Sequence, residues 1–284
     1  MRVLNKTFLD YYKSVFVEDK HFRPLTAKKA MMLDEIVGGE GYHKEIYGGE
    51  KIFKLIRERK IKIAERTYFE AVFSRLAQDV AAEAKKLLEK LGVSSKQKWV
   101  LEFCTGSGSQ TYAFAEKGFE VFTVEKDNRI LTWTRENLSR LELNGNIKFY
   151  NGRLEEFLPK GNCHRIFRGF PERIDLIYAD PPWKGNYYKS LRSLFLWEYM
   201  DPDGRDIVKR CIDKATIVCL KLPTSMPVEF VYDFAKELGV YTLIVNQELT
   251  VGKRVLEEKV VFFSKHLARN STLLEIKNHV LSIG

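Results

Sequence analysis

An α/β fold, a mainly parallel seven-stranded sheet with helices on both faces, is what this chain of 284 residues predicts. Three observations carry that expectation. From Lys98 onward, short apolar runs of strand length alternate with helix-length stretches, the pattern of βαβ units. The first run ends in a Gly-x-Gly turn that leads into a helix. The fourth run ends in two consecutive prolines, which lack backbone N–H groups and so stop a strand.

The elements follow in order. Between about Ile63 and Leu91, Phe69, Val72, Phe73, Leu76, Val80, Ala84, Leu87, Leu88 and Leu91 recur at three- and four-residue steps, which predicts one amphipathic helix stopped by Gly92. WVLEF (99–103) is the first strand, and a helix to Lys117 ends at Gly118. EVFTVE (120–125) is the second, followed by a helix from Asn128 to about Leu143. NIKFY (146–150), IDLIYA (174–179), TIVCLKL (216–222), YTLIV (241–245) and EKVVFF (258–263) complete the set of seven. In such sheets ligands sit at the carboxyl ends of the strands, near the point where strand order reverses.

The first ~95 residues have a different texture. A Gly-rich stretch, GGEGYHKEIYGGE (38–50), lacks the Lys-Ser/Thr of a phosphate-binding loop and is expected to be a flexible loop or hinge. KIFKLIRERKIKIAER (51–66) holds seven Lys/Arg against two Glu, so it reads as a solvated helix face or a nucleic-acid contact. Two regions are therefore expected: 1–62, a mostly helical accessory region, and 63–284, the catalytic domain.

With 45% apolar residues a sizeable core is feasible. The net charge of +9 favours a polyanionic partner, because Lys and Arg that neutralise phosphates release counterions. Cys104, Cys163, Cys211 and Cys219 form no CxxC pair and no disulfide framework, which fits a reduced, cytoplasmic setting. Cys163-His164 is too isolated for a zinc site, so no metal is expected. No apolar run approaches the ~20 residues of a membrane span, and the acid-containing start is not a secretory signal.

Two motifs carry chemistry. Glu102-Phe103-Cys104-Thr105-Gly106-Ser107-Gly108-Ser109-Gln110-Thr111 follows a strand, and its glycines allow a tight turn and close approach to a ligand. Glu125, at the end of the second strand, suits the two hydroxyls of a ribose; Asp127 fits a helix cap as well as that role. The second motif is Asp180-Pro181-Pro182-Trp183. The Asp180 carboxylate and the Pro181 carbonyl can accept the two N–H hydrogens of an exocyclic amine, drawing its nitrogen toward sp³ so that the lone pair meets a methyl donor. Pro182 stiffens the loop, and Trp183 offers a flat face for a base, worth ~1–3 kcal/mol.

Together these residues resemble the Rossmann-like class I methyltransferases that act on exocyclic amines, and most of all the trimethylguanosine synthase family, the RNA cap guanine-N2 methyltransferases. That family's cofactor motif aligns without gaps on Glu102 to Thr111 and Phe114-Ala115; its Ser-Pro-Pro-Trp aligns on Asp180 to Trp183, and its Leu-Pro-Arg-Asn on Leu222-Pro223-Thr224-Ser225. The resemblance covers roughly residues 60 to 265. It implies S-adenosyl-L-methionine as cofactor, with Glu102, Cys104, Thr105, Gly106 and Gly108 around its methionine part. Glu125 would hold the ribose, with Lys126, Arg153 and Asp180 completing the set. It implies an RNA substrate, with Asp180, Pro181, Pro182 and Trp183 catalytic and Trp183, Lys184, Tyr187, Tyr188 and Pro223 on the base or its neighbours.

Three departures stand against it. Asp180 replaces the family's Ser, Gly152-Arg153 replaces its Gly-Asp so that Glu155 or a backbone group would have to meet the adenine amine, and Lys184-Gly185-Asn186-Tyr187-Tyr188 replaces Gly-Gly-Pro. A strict 7-methylguanosine cap specificity is therefore not expected. The leading expectation is guanine-N2 methylation of RNA. Behind it stand adenine-N6 methylation of RNA or DNA, protein glutamine-N5 methylation and a non-catalytic RNA-binding fold. The number of methyl groups added and the oligomeric state are not encoded in these motifs.

Overall fold

The computed structural model describes residues 72–93, 96–141, 146–158, 174–183, 200–251, 254–266 and 274–282, with positions 58, 62–64, 143 and 197. Nearly all of the expected accessory region, with its Gly-rich stretch and most of the basic segment, lies outside the described residues.

The sheet has eight strands: β1 (Lys98–Phe103), β2 (Phe119–Glu125), β3 (Ile147–Asn151), β4 (Ile174–Ala179), β5 (Ala215–Leu222), β6 (Tyr241–Val251), β7 (Arg254–Ser264) and β8 (Leu274–Ser282). Their order is β3-β2-β1-β4-β5-β7-β6-β8. The pairs from β3 through β5 are parallel, β7 runs antiparallel to both β5 and β6, and β8 pairs parallel to β6. The α/β architecture is the expected one, with two additions. β6 and β7 are far longer than their apolar centres because their polar ends, such as Asn246-Gln247-Glu248, continue the ladder. β8 is the eighth strand, an edge strand whose sequence LEIKNHVLS is too polar to stand out.

Six helices are described: α1 (Ser74–Lys90), α2 (Ser109–Glu116), α3 (Asn128–Leu138), α4 (Leu154–Phe157), α5 (Gly204–Cys211) and α6 (Val228–Leu238). α1 buries Leu76, Val80, Ala84, Leu87 and Leu88 with Phe114 and Ala115 of α2 on one face of the sheet. α4, α5 and α6 cover the other face, where Ile207, Val208, Val231 and Phe234 meet Leu101, Val218 and Val261. No helix among the described residues is long and apolar enough to cross a membrane.

Two helix boundaries differ from the expectation. Ile63 is not helical: the main chain at Lys62 is held by Asn137 of α3, whose Oδ1 accepts from the Lys62 N–H at 2.9 Å and whose Nδ2 donates to the Lys62 carbonyl at 2.6 Å. The helix starts at Ser74, after an extended Phe73. α3 stops at Leu138, because Ser139 Oγ and the Arg140 guanidinium both donate to the Glu136 carbonyl and cap the last turn.

Candidate active site

β1 and β4 are neighbours although they are not consecutive, and strand order reverses between them. A cavity of about 800 Å³ opens there, at the carboxyl ends of β1, β2 and β4. Its size lies within the ~300–1,000 Å³ usual for small-molecule sites.

The Gly-x-Gly turn forms its floor. Cys104 (φ 65°), Gly106 (53°) and Gly108 (84°) are all left-handed, so the chain reverses within five residues. The Val124 carbonyl of β2 accepts from the Cys104 and Thr105 N–H groups at 3.0 and 3.3 Å and pins the turn. The two glycines serve different ends. A Cβ on Gly106 would meet only the Cys104 carbonyl, at 3.9 Å, so Gly106 leaves room on the cavity side. A Cβ on Gly108 would stand 2.5 Å from Thr134 Cγ2 and 3.2 Å from Leu138 Cδ1, so Gly108 lets α3 pack and does not line the cavity.

Two carboxylates flank the turn. Glu102 is 1% exposed, and its Oε2 accepts from Thr111 Oγ1 at 2.5 Å and Thr123 Oγ1 at 2.8 Å. Burial pushes its carboxyl up to about 7 against the pull of these two hydroxyls, with Asp180 and Glu125 adding to the rise. Glu125 accepts from the Gly106 N–H on Oε2 (3.1 Å) and from the Asp127 N–H on Oε1 (3.0 Å), which fixes its plane at the cavity wall. Asp127 takes the capping role: it accepts from the Arg129 N–H and pairs with the Arg129 guanidinium.

The third carboxylate belongs to the loop after β4. Asp180 stands at the cavity wall, and Lys221 Nζ of β5 lies 3.2 Å from its Oδ2. The same ammonium lies 2.9 Å from Glu258 Oε1 of β7. Burial raises the Asp180 carboxyl, and Lys221 opposes the rise. Between two carboxylates Lys221 is itself pushed up and stays a cation despite its burial. Pro181 is buried, the Pro182 carbonyl accepts from the Asp201 N–H at 3.1 Å, and Trp183 forms a bridge with Met200 and packs on the α5–α6 side of the core.

The cavity thus gathers Glu102, Cys104, Thr105, Gly106, Glu125, Lys126, Arg153, Glu155, Asp180, Pro181, Pro182 and Trp183 from the sequence reading. Lys126 Nζ lies 3.5 Å from Asp201 Oδ2, linking the end of β2 to the chain beyond the proline motif. Burial, then Glu125 and Asp180, push the Cys104 thiol well above its ordinary value, so it is a neutral lining group. Pro223 is buried in the turn after β5 and does not reach the cavity; its carbonyl accepts from the Met226 N–H. Lys184, Tyr187 and Tyr188 lie outside the described residues. Tyr178, Lys221 and Glu258 were not singled out from the sequence. The signal for Lys221 was a charge inside an otherwise apolar strand, ATIVCLKL, where burial demands a partner.

These residues fit S-adenosylmethionine. The Glu125 oxygens retain lone pairs for ribose hydroxyls, the open side of Gly106 admits a ligand against the backbone, and Glu102 can meet a ligand ammonium. Among the described residues no group of three or more His, Cys, Asp or Glu side chains is placed to hold a metal ion.

Among solved structures, a protein assigned as a methyltransferase from Porphyromonas gingivalis W83 superposes with a TM-score of 0.53 at 13% identity, over 94% of this chain and 60% of that one. One assigned as an RNA methyltransferase from Pyrococcus horikoshii gives 0.43 at 20% identity, over 67% and 84%. The N-terminal domain of human METTL16 in complex with SAH gives 0.44 at 12% identity, over 66% and 70%. At such identities the likeness is one of fold. A search of curated proteins returns no match. The profile described as RNA cap guanine-N2 methyltransferase matches residues 97–282. That span runs from β1 to β8 and takes in every carboxylate of the cavity, and on it the chain belongs to the RNA cap guanine-N2 methyltransferase family, S-adenosylmethionine-dependent methyltransferases.

Proposed function

We propose that the chain methylates the exocyclic N2 amine of a guanine in RNA. The observation that carries this reading is the Asp180–Lys221 pair at the end of β4, on the same cavity as the cofactor-type turn. S-adenosylmethionine, when bound, supplies an electrophilic methyl group. Lys221 occupies Oδ2 of Asp180, so Oδ1 is left to accept one N–H of the target amine, and the Pro181 carbonyl accepts the other. Drawn on both hydrogens, the amine nitrogen recovers a directed lone pair. Methylation leaves that nitrogen with one proton in excess. Asp180 Oδ1 takes it and passes it to water. Trp183 stacks on the base, and Glu125 and Glu102 hold the cofactor's ribose and amino group. The basic excess supports a polyanionic substrate, and the family description supports RNA. Residues 63–284 form the catalytic domain of this proposal, and 1–62 an accessory region whose Lys and Arg add phosphate contacts.

The test is transfer of labelled methyl groups to total small RNA, with nucleoside mass spectrometry of the product and Asp180→Ala as control. N2-methylguanosine that vanishes in the variant is the expected result. N6-methyladenosine instead, the product suited to an Asp-Pro-Pro-Trp loop in adenine enzymes, would overturn the guanine assignment.

A further inference from the structure

Strand register places several polar side chains on one face of the sheet at the cavity. Glu102 of β1 pairs with Tyr178 of β4, and Tyr178 with Cys219 of β5. Asp180 and Lys221 lie two residues further along the same two strands' paths. Lys221 in turn pairs with Val260 of β7, so Glu258, two residues before it, shares that face. Two atoms in this group have no hydrogen-bond partner among the described residues: the Tyr178 hydroxyl and Glu258 Oε2, both buried. Tyr178 is 1% exposed, and both residues line the cavity with Asp180. Burial, then the surrounding Asp180, Cys219, Glu258 and Glu102, push the phenol well above its usual range, so it remains a donor. Glu258 lines the cavity and keeps one oxygen on Lys221, which opposes the rise that burial gives its carboxyl, and its other oxygen has no donor among the described residues.

A buried carboxylate oxygen without a donor costs free energy until one arrives. Beside Lys221 the cavity lining therefore holds one donor, Tyr178, and two carboxylates, Glu258 and Asp180. Guanine presents the complementary edge, with O6 as acceptor, N1–H as donor and the N2 amine as donor. Adenine places a bare acceptor, N1, beside its amine, and that atom would face the Glu258 oxygen in repulsion. A site built around a specific polar edge rejects the analogue that leaves its buried groups unpaired.

We propose that Glu258 Oε2, with the Tyr178 hydroxyl beside it, reads the ring edge next to the target amine and selects guanine over adenine. This rests on the guanine-N2 reading above and assigns its base specificity to β7.

The experiment is calorimetric binding of inosine and adenosine monophosphates to the full chain saturated with S-adenosylhomocysteine. Inosine monophosphate carries O6 and N1–H without the amine, so it probes Tyr178 and Glu258 apart from Asp180. It should bind at least tenfold more tightly than adenosine monophosphate. In Glu258→Gln, Lys221 can only donate, so the amide oxygen turns to it and the NH₂ takes the Oε2 position. That presents a donor to adenine N1, and the preference should invert. A purely structural role for Glu258 would not invert it. If that variant does not fold, the wild type with 1-methylinosine monophosphate, which lacks N1–H, should show at least a tenfold loss against inosine monophosphate. The inference is overturned if the wild type binds the inosine and adenosine nucleotides equally or binds neither, or if Glu258→Gln keeps the inosine preference. N2-methylguanosine formed without nucleotide discrimination would sink this inference alone. Discrimination with methyl groups found elsewhere than guanine N2 would sink the guanine-N2 reading and, with it, the assignment of Glu258 to the edge beside the target amine.

Discussion

Lys221 Nζ lies 3.2 Å from Asp180 Oδ2, a cation planted near the end of an apolar strand beside the carboxylate of the diproline loop. It is 8% exposed and also pairs with Glu258, so a single ammonium is shared between two carboxylates at the cavity wall.

Replacing Lys221 with Met should therefore do more than remove a contact. Two carboxylates would be left buried without their cation, a loss of ~3–5 kcal/mol on the scale of broken buried pairs. Asp180, already raised by burial, would rise further. A carboxylate needed in its ionised form stops working as pH falls through its pKa, so the acid limb of the pH–rate profile should move to higher pH. Methyl transfer near neutrality should fall by ~10²-fold. An unshifted acid limb would show that Lys221 does not govern Asp180.

Glu102 sets a second pH dependence. Its carboxyl sits at about 7, so in the free protein it takes up a proton as pH falls through that value. A cofactor ammonium favours the ionised form. Affinity for S-adenosylhomocysteine should be flat above pH 8 and fall by up to ~10-fold per unit below pH 7. Glu102→Gln should flatten the curve. Stability of the cofactor-free protein should show the opposite sign. A carboxyl raised from 4.5 to about 7 penalises the fold progressively as pH rises between those values, by a few kcal/mol at most. Thermal melts from pH 5 to 8 check this.

The two glycines of the turn should separate fold from binding. Gly108→Ala drives a methyl group 2.5 Å from Thr134 Cγ2 at φ 84° and should cost ~1–3 kcal/mol of stability. Gly106→Ala meets no close atom, so beyond the strain of φ 53° it should lose cofactor affinity with a much smaller drop in melting temperature. Melting curves with and without S-adenosylhomocysteine distinguish the two.

Asn137 gives a fourth test. Its side-chain amide holds both main-chain polar groups of Lys62 in the manner of a strand partner. Asn137→Ala removes both bonds at a buried position, at ~1–3 kcal/mol. Tryptic cleavage at Lys62 should quicken, while S-adenosylhomocysteine affinity holds.

Much of this was legible in the sequence, for local reasons. WVLEF and IDLIYA are short, apolar and closed by a glycine turn and a diproline, so their identity as strands and the place of their loops follow from neighbouring residues. That Glu102, Gly106, Glu125 and Asp180 would meet at one cavity could be read because each sits at a fixed offset from such a strand end. Gly108 read as a ligand-side glycine because its true constraint, Thr134 and Leu138, is 26 and 30 positions away. β8 escaped because an edge strand with Ile276 and Val280 exposed carries no apolar run. Lys221 and Glu258 escaped because their meaning lies in a pairing between β5 and β7 that only the folded sheet supplies. Pro223 aligned with a binding motif, yet it is buried in a turn, where Lys259 Nζ donates to the carbonyls of Thr224 and Met226.

β7 runs against its neighbours, so it is its beginning, not its end, that stands beside Asp180. The turn on β1 and the acid on β2 belong to strands that arrive in the forward direction, while this part of the wall comes from a returning hairpin. On the proposal that Glu258 reads the base, substitutions at the start of β7 should change which nucleotide binds and leave S-adenosylhomocysteine affinity unaltered.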